Sequence, residues 1–75
     1  MDNVPVSVME REFHFESGVK AEMIMWGVTT PDICWVITMG KKRRSGPWTH
    51  AEDGPIQVEY IVGPRDYFIM HVTRC

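Results

Sequence analysis

The sequence is poor in the devices that small proteins use to compensate for a small core. It has two cysteines in 75 residues, Cys34 and Cys75, far from the dense disulfide framework of a small secreted domain. Cys34 lies in an apolar run and reads as a buried small hydrophobe. A Cys34–Cys75 disulfide stapling the tail is the minor alternative to reduced thiols. No apolar run approaches the ~20 residues of a membrane-spanning helix. The opening Met1-Asp2-Asn3-Val4-Pro5 lacks the basic flank and apolar stretch of a secretory signal, so a cytoplasmic protein is expected. No large excess of either charge exists: 8 basic and 10 acidic residues give −2, which argues against a chain-wide nucleic-acid coat.

Catalytic motifs are missing too. No Gly-rich phosphate cradle occurs. Ser7, Ser17 and Ser45 lack a nucleophile-elbow context, and Cys34 has no neighbouring base in sequence. His14, His50 and His71 together with the cysteines show no paired metal-ligand spacing. No catalytic residue, metal or cofactor is therefore expected. Seventy-five residues bury only ~60% of their unfolded surface, which leaves room for one domain and no deep cleft.

What is present is extended-chain patterning, with 44% hydrophobic residues. From Met9 to Glu16, Met9, Phe13 and Phe15 share one parity, and Glu10, Glu12, His14 and Glu16 the other. Ser17-Gly18 reads as a hairpin turn and Val19–Val28 as a second extended run. After a turn at Thr29-Thr30-Pro31-Asp32, the segment Ile33–Met39 is rich in β-branched and aromatic residues and reads as a third. Ile56–Val62 and Tyr67–Thr73 complete five, joined by a turn at Gly63-Pro64-Arg65-Asp66. That turn sets Val62 opposite Tyr67, Tyr60 opposite Ile69 and Val58 opposite His71. Earlier in the chain, Trp26 faces Trp35 and Ile24 faces Ile37, so both tryptophans are assigned to the core. The fold expected is all-β, with room for one short helix: a five-stranded antiparallel meander forming a curved sheet or small barrel. Helical spacing of Val19, Met23 and Trp26, and a helix start at Thr30-Pro31-Asp32, remain the competing patterns.

Residues 40–55 are expected to form a long basic loop, since connections of this length are often functional. The loop carries Lys41-Lys42-Arg43-Arg44 and then Gly46-Pro47-Trp48. Three readings of the cations stand side by side: a solvated tip that discourages edge pairing, a docking patch for an acidic protein surface, and a phosphate grip with Trp48 stacking on a base. Lys41, Lys42, Arg43, Arg44, Trp48 and His50 form the candidate partner-binding set. Glu10, Glu12 and Glu16 form an acidic strip that is either a plain solvent face or a contact for a basic partner. Met23, Met25 and Met70, with Phe68 and Val72, form either a second core face or an adaptable contact patch.

The function expected is a non-enzymatic protein-binding module, a small inhibitor or adaptor of the size common among phage- or plasmid-type proteins. The alternative is a small β-barrel binding single-stranded nucleic acid through the basic loop. Self-association through unpaired edge strands is a further partner class.

Overall fold

A computed structural model describes residues 12–75. Five strands form one sheet and two short helices cover one of its faces. The strands are β1 (Glu12–Phe15), β2 (Lys41–Ser45), β3 (Trp48–Asp53), β4 (Ile56–Val62) and β5 (Asp66–Arg74); the helices are α1 (Val19–Trp26) and α2 (Thr30–Met39). In space the order is β1-β5-β4-β3-β2. The pairs β2–β3, β3–β4 and β4–β5 are antiparallel, but β1 runs parallel to β5. The sheet is therefore mixed and open, not an antiparallel meander or a closed barrel.

The correction comes from the segment 19–39. Val19–Val28 and Ile33–Met39, expected as strands, are instead largely helical, so Trp26 does not face Trp35 across a ladder, nor Ile24 Ile37. Local chemistry outweighs β-propensity here. Thr29 and Asp32 form a reciprocal capping box: the Asp32 N–H donates to Thr29 Oγ1 (3.3 Å), and the Thr29 N–H donates to Asp32 Oδ2 (2.9 Å). Pro31 sits in the first turn, where a missing N–H costs nothing. The β-branched residues then serve a helical stripe, with Ile33, Val36 and Ile37 buried at i, i+3 and i+4. Upstream, Gly18 does not close a hairpin; it caps the start of α1. At the other end Gly27 takes a left-handed φ of 68°, which lets the Val28 N–H reach back to Met23 O (2.8 Å).

The core lies between helices and sheet. α1 packs on β5, and α2 on β3 and β4. Ile33, Val36 and Ile37 meet Ala51, Val58, Tyr60, Tyr67, Ile69 and Val72, with Phe13 and Phe15 of β1 packed against them. The paired phenylalanines thus lie on the core side, on the parity that the sequence suggests. Tyr60 and Tyr67 meet edge to face (5.6 Å between centroids, 86°). Trp26 is exposed and Trp35 half-buried, so neither is the core tryptophan expected of it.

The β4–β5 hairpin has the expected register near its turn, with Val62 opposite Tyr67 and Tyr60 opposite Ile69. Beyond it a bulge between Glu59 and Tyr60 shifts the pairing, and Val58 faces Val72 rather than His71. The extra residue lets Ile69 and Val72, three positions apart, both point into the core. Residues 40–55 are likewise not a long loop. They form the β2–β3 hairpin and the start of the turn into β4, with Gly46 and Gly54 at positive φ. Met9 and Glu10 lie outside the described residues.

Candidate functional site

The four cations expected on a loop are consecutive residues of β2, an edge strand in which all five residues are exposed. Because a strand alternates faces, the cluster is divided. Lys41 and Arg43 stand opposite Glu52 and His50, on the sheet face away from the helices. Lys42 and Arg44 stand opposite Ala51 and Thr49, on the helix side. Lys42 turns back to the end of α2, donating to Thr38 O (3.3 Å) and Gly40 O (3.2 Å). Those carbonyls carry the negative end of the helix dipole, which suits an ammonium. β2 hydrogen-bonds to β3 on one side only, and its other edge is free of any described strand.

On the helix side, Lys42, Arg44, Pro47, Thr49, Tyr60 and Val62 line a shallow groove of about 330 Å³. Its floor is apolar and its rim cationic. Tyr60 belongs to the core as well, and burial pushes its phenol up to about 12, with the Tyr67 phenol adding to the shift.

The opposite sheet face is covered by nothing among the described residues. One row across it runs Ser45, Trp48, Ile61, Phe68 and His14, in cross-strand register. Trp48 is half-buried in that row, beside Ile61. The His14 ring lies nearly flat on Phe68 (5.1 Å, 19°). A second row holds Arg43, His50, Glu59 and His71. His50 is half-buried, its Nδ1 3.4 Å from Glu59 Oε2 and its Nε2 3.7 Å from Glu52 Oε1. So the partner-binding set gathers on one hairpin but not on one face. Lys41, Arg43, Trp48 and His50 share the open face, whereas Lys42 and Arg44 point the other way.

Two of the three residues of the acidic strip, Glu12 and Glu16, lie among the described residues, and both are exposed. Glu12 is exposed on β1, Glu16 falls just past its end, and Glu10 lies outside the described residues. Glu12 also has Asp66 as its neighbour across the parallel pair β1–β5. The methionine patch separates as well: Val72 is core, Met23 packs against it, and Met25 is exposed on α1 beside Ile24, which is 83% exposed. Phe15, Met23, Ile24, Gly27 and Val28 line an apolar groove there. Sequence reasoning missed both this groove and the Tyr60–Val62 floor beside β2. The first needs α1 to be a helix, and the second needs β2 to be a strand.

No family model, curated protein or solved structure matches the chain. The site therefore has to be interpreted from its own geometry. Cys34 is buried in α2, and desolvation raises its thiol pKa, which favours the unreactive protonated form. Both cysteines are free. Among the described residues, no helix is long and apolar enough to cross a membrane.

Proposed function

We propose that this chain is a non-enzymatic protein-binding module, a small inhibitor or adaptor that occludes a surface of a larger partner. Contact is by strand addition: an extended acidic segment of the partner pairs with the edge of β2 that no described strand occupies. The observation that supports this reading is β2 itself, an exposed edge strand in which four of five residues are cationic.

Charge on an edge strand guards against indiscriminate pairing, and it also selects. Two copies of β2 side by side would set cations opposite cations, which is unfavourable. An acidic strand in the same place meets Lys41 and Arg43 on one face and Lys42 and Arg44 on the other, with arginines able to grip carboxylates bidentately. Its apolar side chains find the Pro47–Tyr60–Val62 groove. A nucleic-acid backbone is matched less well. Alternation leaves two of these cations per face, and on the open face they are interleaved with Glu52 and Glu59. The free thiols fit a reducing, cytoplasmic setting.

A random-peptide display selection against the full chain tests the reading. Acidic peptides should be enriched, and the pair Arg43→Glu with Arg44→Glu should weaken their binding about tenfold or more, each lost charged contact costing on the order of 1 kcal/mol. Peptides that are not acidic, or that bind the reversed variant equally well, overturn it. Tight retention of random single-stranded oligonucleotides on a filter, with log K falling against log salt at a slope of roughly −2.8 for four engaged phosphates, would assign β2 to nucleic acid instead.

A further inference from the structure

At the opposite edge of the sheet, the parallel pair β1–β5 places Glu12 directly beside Asp66. Two carboxylates in register repel one another, and like charges so placed destabilise a sheet unless something positive lies between them. His14, two residues along the same face, supplies one neighbour. Its Nε2 lies 3.2 Å from Asp66 Oδ2 and 3.6 Å from Glu12 Oε1. One ligand atom from each of the three residues lies within 4.8 Å of the other two. We propose that Glu12, His14 and Asp66 bind one divalent transition-metal ion of the zinc type, which fastens β1 to β5.

The spacing suits such an ion. Zinc holds nitrogen and carboxylate oxygen at about 2.0–2.2 Å in a tetrahedron, which sets neighbouring ligand atoms about 3.3 Å apart. The two distances to His14 Nε2 bracket that value, and the two carboxylates stand within 4.8 Å of one another. The imidazole is already oriented: its ring stacks on Phe68, which fixes its plane with Nε2 facing both carboxylates. Preorganisation of this kind spares the site the cost of ordering its nitrogen ligand. Glu12 and His14 are exposed, which leaves the fourth coordination position to solvent.

The donor set also chooses among metals. One imidazole with two carboxylates favours zinc, nickel or cobalt, whereas calcium and magnesium prefer all-oxygen shells. The consequence for the fold is specific. β1 has four residues and pairs on one side only with a described strand, so a metal bridging it to β5 would tie down a short edge strand. This site lies at the far edge from β2, and the proposal does not depend on what β2 binds.

Zinc chloride titrated into the full chain by calorimetry, in a non-coordinating buffer, tests it. A Cys75→Ser background is used because that thiol is exposed. One ion per chain is expected. His14→Gln and Asp66→Asn should each weaken binding about tenfold or more, while His50→Gln and His71→Gln leave it unchanged. Magnesium in excess should not compete. Circular dichroism of each variant establishes that it is folded, and in the parent chain zinc should raise the melting temperature. Heat absent up to about 1 mM zinc, or binding that persists in His14→Gln and disappears in His50→Gln, overturns the proposal.

Discussion

Glu22 Oε1 accepts the backbone N–H of Val72 at 3.0 Å, across 50 residues of sequence. The contact makes good a deficit in the sheet. β1 ends at Phe15, opposite Ile69, so the remainder of β5 has no described strand beside it on that edge. α1 fills the gap with a side chain: the Glu22 carboxylate takes the N–H of fully buried Val72, and its other oxygen lies 3.4 Å from His71 Nδ1. Further along, Arg74 Nη1 donates to Trp26 O (3.5 Å), at the end of α1.

Glu22→Ala should accordingly destabilise the chain by about 1–3 kcal/mol, the cost of stranding a buried donor and losing a charged acceptor. Glu22→Gln keeps an acceptor and should cost less. Urea denaturation of both variants checks the order, and amide exchange at Val72 should accelerate in the alanine variant first.

Gly40 marks the crossing from α2 into β2. A Cβ built there would lie 2.5 Å from Val36 O and 2.6 Å from Glu52 O, both backbone atoms. Its N–H meanwhile donates to Val36 O at 2.8 Å, closing the helix. Gly40→Ala should therefore destabilise by about 1–3 kcal/mol through overpacking, even though alanine favours helices. Thermal melts measure this, and a neutral result would mean that the Val36 and Glu52 carbonyls leave room for a methyl group at Gly40.

The Thr29–Asp32 box offers a sharper test of why the segment is helical at all. Thr29→Ala and Asp32→Ala should each cost about 1 kcal/mol. Because the two side chains satisfy one another, the double variant should lose less than the sum of the two. Chemical denaturation of the full double-mutant cycle decides it. Strict additivity would show that the cap and its partner act separately.

That box also explains how much of the architecture can be read from the sequence. The β4–β5 hairpin is legible because Gly63-Pro64-Arg65 separates two runs whose alternation needs no other information. Phe13 and Phe15 are legible for the same reason. The helices are not, because Val19, Met23 and Trp26 fit helical spacing while Ile24 and Trp26 also alternate as in a strand, and Ile33, Val36, Ile37 and Thr38 carry a β-branched bias that tertiary burial overrides. The helix start at Thr30-Pro31-Asp32 competes with a third strand in the sequence, and the Thr29–Asp32 capping box decides for the helix. At the site the basic cluster is conspicuous in sequence, but its division between two faces follows only once β2 is a strand. The approach of Asp66 to Glu12 and His14 lies further out of reach. It depends on a parallel pairing of strands 50 residues apart in the chain, which no local pattern encodes.

Tyr60 links the core to the pH dependence of stability. Its phenol is raised from 10.0 to about 12, first by burial and then by the neighbouring Tyr67. In the unfolded chain it ionises near its ordinary value, while in the native protein it stays protonated for about two further pH units. Between those two values the unfolded state binds fewer protons than the native one, so stability falls as pH rises. The contribution is intact below about pH 10, and roughly 2–3 kcal/mol is lost by about pH 12. Tyr60→Phe removes the ionisable group and keeps the ring in place against Tyr67. Denaturant midpoints measured from neutral to strongly alkaline pH should decline less in Tyr60→Phe than in the parent chain. Parallel declines would mean that another group, or the exposed surface as a whole, drives the alkaline loss.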